Sequence, residues 1–331
     1  MTFARGLIKF LGIHHPSPLE GVGRGAEMVV LGKEPSSLYM FQSCLVCTDF
    51  TDGLHRLVEF VPSLAAGGIK KIVFLHSVPL WEEGEIPRID TEAIEKASDR
   101  LQSSQKNLPD GVEVKIEVPS GRPLENIPKV AKAHQVDVII TGMPIRSLLQ
   151  EKLFGSTTAG LAKACITPLL ILRPQLISTY TCEELDLRCQ HLFRYLLIPY
   201  DGSNPSKYLV QKIKEYAQKR PDNSLKQCML MWIVEEGGRR QVPKDYQLRE
   251  AQEKLEQVKA ELEQLGLQVN TEVRLGNPQT EILDAALEFD ISAIAISSDN
   301  LGKLIELPVR SFAGELMRRS WHPILFFPPQ R

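Results

Sequence analysis

Landmarks in the first half of this 331-residue sequence recur in the second at a nearly constant offset. Asp49 maps to Asp201, Gly121-Arg-Pro-x-x-x-Ile127 to Gly276-Asn-Pro-x-x-x-Ile282, Ser156 to Ser311, and Pro168 to Pro323. The first pair is 152 residues apart and the other three are 155 apart. A lag held over separate landmarks marks a duplication, so each copy must fold by the same rules as the other.

Within each copy, apolar runs of strand length alternate with segments of helical period. In the first, SCLVCTDF from Ser43 is a buried strand, residues 54–66 a helix, and Lys70–Val78 a strand. Glu92–Leu108 reads as a helix, Val112–Val118 as a strand and Leu124–His134 as a helix. Val136–Thr141 is a strand, followed by a loop and helix and then the strand Leu169–Leu172. The second copy repeats this order, with a long helix over 245–265 closed by Gly266. Strands alternating with helices imply right-handed crossovers. The expectation is therefore α/β: two tandem doubly wound five-stranded parallel-sheet domains packed as a pseudo-dimer. The boundaries read as an N-terminal extension over 1–39, a first domain over 40–175, a polar linker over 176–190 and a second domain over 191–331. The apolar runs Leu169–Leu172 and Ile324–Phe327 suit the edges through which the copies would pair.

The totals exclude several classes. With 39 basic and 41 acidic side chains, no net field favours nucleic acid or an anionic membrane. No apolar run reaches the ~20 residues of a transmembrane helix. The six cysteines show no paired metal-ligand spacing, and Cys44-x-x-Cys47 lies in a strand pattern. Reduced structural thiols and a cytoplasmic location are expected. The apolar, basic N-terminus lacks a cleavage site for a signal peptide and reads as a tail or a weak surface-binding helix. The glycines of Gly21–Glu27 follow no strand and read as linker.

The chemistry concentrates at strand ends. An open parallel sheet binds ligands beyond the carboxyl ends of its strands, where the strand order reverses. Thr48 and Asp49 follow the first strand, His76 and Ser77 the second, and Gly142 the fourth. Gly142, Gly155, Ser156, Thr157 and Thr158 combine glycines that admit close backbone approach with hydroxyls opening a helix, an arrangement suited to phosphate. Arg146 and Lys152 lie within reach of such an anion, and an aspartate at the position of Asp49 can accept from ribose or an adenine amine. Bland readings stand beside these. Asp49 and Asp201 can cap the following turns, the glycines can serve turn geometry, His76 can be a core histidine, and Arg146 and Lys152 can be solvated charges.

At these residues the sequence resembles the universal stress protein family, over essentially residues 40–331 as a tandem pair. The ATP-binding members carry G-x2-G-x9-G-(S/T), and that spacing falls on Gly142, Ile145, Gly155 and Ser156, with Ile in place of the second glycine. The first-strand Thr48-Asp49-Phe50 is similar to the family's start. The resemblance implies ATP or AMP, with or without Mg2+, at the sheet's carboxyl edge, with Asp49 in the adenosine-contacting place. It also implies a stress-response regulator that acts through a protein partner and pairs domains through edge strands, with homo-oligomers as a further expectation. If the position of Ile145 needs positive φ, a β-branched residue there costs more than the ~1–2 kcal/mol of an ordinary left-handed residue. The second copy has Ser297, Asn300, Arg310 and Ser311 at the matching positions, so Arg310 is expected to fill that site.

No G-x-x-x-x-G-K-(S/T) loop, G-x-S-x-G elbow or H-E-x-x-H helix is present, so no enzymatic turnover beyond slow incidental ATP hydrolysis is expected. The alternative is a non-nucleotide interaction or dimerisation module with both sites degenerate. A more distant alternative, an adenylate-forming enzyme, lacks a glycine-serine loop directly after its first strand.

Overall fold

A computed structural model describes residues 41–51, 53–81, 88–143, 156–222, 224–235, 243–298 and 311–329. The N-terminal extension and the glycine-rich stretch 21–27 lie outside them. In the first half, β1 (Ser43–Cys47) leads through a 3-10 turn (Leu54–Phe60) into α1 (Val61–Ala66). There follow β2 (Lys71–Leu75), α2 (Thr91–Leu101), β3 (Glu113–Glu117), α3 (Pro123–His134), β4 (Val138–Gly142), α4 (Ser156–Ala164) and β5 (Leu169–Leu172). Two short helices, α5 (Pro174–Thr179) and α6 (Cys182–Gln190), connect the halves. The second half runs β6 (Tyr195–Pro199), α7 (Asn204–Ala217), β7 (Gln227–Val234), α8 (Lys244–Glu263), β8 (Gln268–Leu275), α9 (Pro278–Glu288), β9 (Ala293–Ser297), α10 (Phe312–Arg319) and β10 (Ile324–Phe327).

All ten strands share one sheet, in the order β3-β2-β1-β4-β5-β10-β9-β6-β7-β8. Every pairing is parallel except β5 with β10, where Ile171 faces Ile324, Leu170 faces Leu325 and Leu169 faces Phe326. The tandem doubly wound architecture and its edge pairing are as expected from the repeat. The chain winds outward from β1 to β3 and returns to β4, so the order reverses between β1 and β4, and again between β6 and β9.

Alternation along β1 explains why its run is apolar throughout. Cys44 and Val46 enter one core layer, which takes in α1, α6, α7 and α8, while Leu45 and Cys47 enter the other, which takes in α3, α4, α9 and α10. The two cysteines of the CxxC therefore sit on opposite faces of the sheet and cannot bridge. Burial pushes the thiols of Cys189 and Cys228 up to about 12, while Cys182 is exposed. The first layer crosses the seam between the halves through an aromatic run. Phe41 lies 4.6 Å from Phe193 and 5.1 Å from Tyr216, which lies 5.8 Å from Phe327.

Two segments differ from the sequence expectation. The helix over 54–66 divides because Gly53 enters it in a left-handed conformation (φ 75°) and Pro62 restarts it, giving a 3-10 turn and then α1. The polar segment 176–190 is helical rather than an open connection. A capping box links Thr181 and Glu184, and Leu185 and Cys189 are buried.

His322, in the turn before β10, supplies a pH test. Burial first, and then the Arg188 guanidinium, hold its imidazole below the usual range, with Asp290 pulling the other way. A lowered folded pKa means that the unfolded chain binds more protons below pH 6.5, so stability is lost as pH falls through that window. The urea midpoint is expected to decline from pH 6.5 to 5, with a slope from this group of at most about 1.4 kcal/mol per pH unit. His322→Gln should flatten that decline, which a pH series of urea titrations would read.

Candidate functional site

Over the first switch point the ends of β1, β2 and β4 meet the start of α4. The Thr48 backbone N–H donates to Leu75 O (3.0 Å), which aligns the ends of β1 and β2. The buried Thr48 hydroxyl accepts from Phe50 N (3.0 Å) and so fixes a tight turn in which Phe50 has φ 64°. Asp49 is exposed at the edge, and its Oδ1 accepts from both the backbone N–H and the hydroxyl of Thr51, each at 2.8 Å. That is the turn-capping reading of this residue, and it also holds the carboxylate at the mouth of the site.

Ser77 is buried, and its hydroxyl accepts from the Asn126 amide (3.2 Å), which also donates to Ser120 O. Gly142 closes β4, and its carbonyl accepts from the buried Thr158 hydroxyl at 3.4 Å. The strand end and the first turn of α4 are thereby held together. Ser156 opens α4 and Thr157 follows it half-buried. Ile145, Arg146, Lys152 and Gly155 lie outside the described residues. Thr48, Asp49, Ser77, Gly142, Ser156, Thr157 and Thr158 therefore share one edge of the sheet.

Close packing places α4. A Cβ added at Gly160 would come within 2.5 and 2.9 Å of the Leu124 methyls on α3. Gly160→Leu is expected to push the two helices apart and to destabilise the chain by about 1–3 kcal/mol. A thermal shift reads this beside Gly111→Ala, the opposite case, where a Cβ meets nothing within 4 Å and the positive φ of 76° alone opposes it.

Sequence reasoning did not find the aromatic and basic cluster beside this edge. Phe50 stacks on His76 at 4.4 Å, and the Arg100 guanidinium lies 4.0 Å above the Phe50 ring. His76 Nδ1 is 2.9 Å from Thr48 O. His55 lies 6.2 Å from Phe50, and its buried Nδ1 has no hydrogen-bond partner among the described residues. Burial, then Arg100 and Arg56, hold the His55 imidazole below its ordinary range, with Asp49 acting the other way. The available signal was weak, since Arg100 stands on a different helix about 50 residues from Phe50.

Arg173, directly after β5, was also missed. It is buried, and it donates through Nε to Ser320 O (2.6 Å), through one terminal nitrogen to Met143 O (2.8 Å) and through the other to Met317 O. One guanidinium thus ties the residue after Gly142 to the carboxyl end of α10 in the other half, where the helix dipole is negative. Burial pushes its pKa down to about 10, which leaves it cationic at neutral pH.

The second switch point is described in part. Arg310 lies outside the described residues, and those that are described line a cavity of about 400 Å³ between Tyr200, Asp201, Met231, Ser297, Ser311 and Phe312. Small residues at Ala295, Ser297 and Ala313 leave this room. Asp201 Oδ1 accepts from Ser203 N (2.9 Å). Burial raises that carboxyl, but the hydrogen bonds from Ser203 and Ser206 outweigh it and hold it below the usual range. Ser311 caps α10 by accepting from Gly314 N (3.1 Å). Among the described residues no group of three or more His, Cys, Asp or Glu could hold a metal ion, and no helix is long and apolar enough to cross a membrane.

Comparison with known proteins agrees with this geometry. A universal stress protein of Methanocaldococcus jannaschii is 25% identical over 158 residues, 40% of this chain and 96% of that protein. The crystal structure of a universal stress protein from Archaeoglobus fulgidus superposes with a TM-score of 0.58 at 20% identity, covering 87% of this chain and 97% of that one, a likeness of fold. The universal stress protein family profile matches twice, at residues 40–173 and 193–328, one match to each half of the sheet. The chain belongs to the universal stress protein family, as a tandem member with two copies of the domain in one sheet.

Proposed function

We propose that the first half binds an adenine nucleotide, ATP or AMP, and that the chain acts as a cytoplasmic stress-response regulator whose affinity for a protein partner changes with nucleotide state. The two domains would span 40–175 and 191–331, joined by 176–190. The observation that carries this reading is the convergence of Asp49, Ser77, Gly142 and the start of α4 on one switch point. In this reading Asp49 would meet the adenosine and backbone N–H groups at the start of α4 would meet the phosphates, which would themselves supply most of the oxygens for any Mg2+. Charge-assisted hydrogen bonds of about 1.5–3 kcal/mol each, four or five of them, support micromolar affinity after ordering. In this reading the chain binds nucleotide without turning it over beyond slow incidental hydrolysis.

Equilibrium dialysis of the full chain against ATP and AMP, with and without Mg2+, is expected to show saturable micromolar binding. Gly155→Val should weaken it at least tenfold. Absence of binding, together with absence of any nucleotide in the purified protein, would sink the proposal and leave the interaction-module reading.

A further inference from the structure

A second cavity lies away from both switch points. It has a volume of about 490 Å³ and opens where α5 and α6 pack against the amino ends of β6, β9 and β10. The fold's ligand cleft lies at carboxyl ends, so this is a different place. One whole wall, from Leu176 through Leu192, belongs to the connecting segment that lies between the two family matches. The site is therefore a product of how this chain joins its two copies.

Its lining has two parts. Tyr180, Tyr195, Phe289 and Trp321 bring aromatic rings to it, and Leu187 and Trp321 are 55% and 51% exposed at its mouth. Arg188 and Arg194 stand at the rim, both exposed, with His191 between them in sequence. The Arg188 guanidinium lies 4.5 Å over the Tyr180 ring, and among the described residues neither arginine has an ion-pair partner. Of the two acids in the lining, Glu184 is committed to the α6 capping box by accepting from Thr181 N at 2.9 Å. Glu184 keeps its charge there and acts with Arg188 on Tyr180, so the lining and its neighbourhood set Glu184 and Asp290 against Arg188, Arg194 and Lys226.

The two imidazoles nearby report the same field. His191 is held below its ordinary range by burial, then by Arg194 and Lys226, and His322 by burial, then by Arg188, with Asp290 opposing in both cases. Burial, the first cause for both, disfavours any charge; it is the contribution behind it, from Arg194 and Lys226 on one side and Arg188 on the other, that would favour an incoming carboxylate. The volume is that of a small-molecule site, with apolar walls and a few convergent polar groups.

We propose that this seam cavity binds a small aromatic carboxylate, its ring against Trp321 and Leu187 and its anionic end at Arg188 and Arg194. The site is independent of the nucleotide reading.

The test uses the full chain and two probes with the same ring system, 2-naphthoate and the neutral 2-naphthamide, followed by calorimetry and ligand-observed NMR. One saturable naphthoate site is expected, with the amide at least tenfold weaker. Replacing both exposed arginines, Arg188→Gln with Arg194→Gln, should weaken naphthoate at least tenfold and leave the amide unchanged. Trp321→Ala should weaken both probes at least threefold, and saturating AMP should displace neither. Equal affinity for acid and amide, undiminished naphthoate binding in the double variant, displacement by AMP, or no naphthoate binding would each overturn the proposal.

Discussion

Replacing Arg173 with methionine is expected to lower the unfolding free energy by about 3–5 kcal/mol. The guanidinium donates to three backbone carbonyls, on Met143, Met317 and Ser320, and among the described residues no carboxylate pairs with it. Methionine fills similar space but donates nothing, so three acceptors in a buried place lose their partners. Each orphaned group costs about 1–3 kcal/mol, against which the relieved burial of a charge returns part. Arg173→Lys keeps the charge but not the planar fork that reaches carbonyls in both halves at once, so it should fall between wild type and methionine. Urea midpoints of the three proteins decide the matter. A methionine variant within about 1 kcal/mol of wild type would mean that water takes over the carbonyls.

That residue also marks the limit of what could be read in the sequence. An arginine after an apolar strand reads as an end signal, because its partners here are main-chain carbonyls 30, 144 and 147 residues away, and carbonyls carry no residue identity. Strands and helices were legible for the opposite reason. β1 and β5 are buried on both faces, which makes their runs continuously apolar, and caps such as Asn277 before α9 stand at the ends they close. The connecting segment looked polar because most of its residues meet solvent, while the two residues that anchor α6, Leu185 and Cys189, are too few to make a pattern.

The candidate site was legible to the same extent. Strand ends place residues reliably in a parallel sheet, so Asp49, Ser77 and Gly142 were found from their position alone. The local hydrogen bonds were not: Thr48 folds back to Phe50 N, and Thr158 reaches Gly142 O across 16 residues. The expectation that Arg310 fills the second cleft falls on a residue outside those described. Among the described residues the room there comes from small side chains on β9 and α10, whose effect depends on which face they present.

Phe326→Ala is expected to do more than lower stability. Phe326 is fully buried in β10, faces Leu169 across the antiparallel seam and Ile296 across the parallel pairing, and its loss should cost about 3–5 kcal/mol. The seam register is short, with three facing pairs, and besides the Arg173 hydrogen bonds the halves also meet through the aromatic run from Phe41 and Phe193 to Tyr216 and Phe327 on the opposite sheet face. A cavity at Phe326 weakens the apolar contact on one face and leaves the Ile171–Ile324 pair as its seam contact there, so the halves should unfold in two steps rather than one. Phe74→Ala is the control, since Phe74 is as fully buried but lies in β2, away from the seam. Calorimetry is expected to show a single transition at lower temperature for Phe74→Ala, and a broadened or split transition with a reduced urea m-value for Phe326→Ala. If both variants give one sharp transition, the shared core on the far face carries the cooperativity, and the antiparallel strand pair merely aligns it.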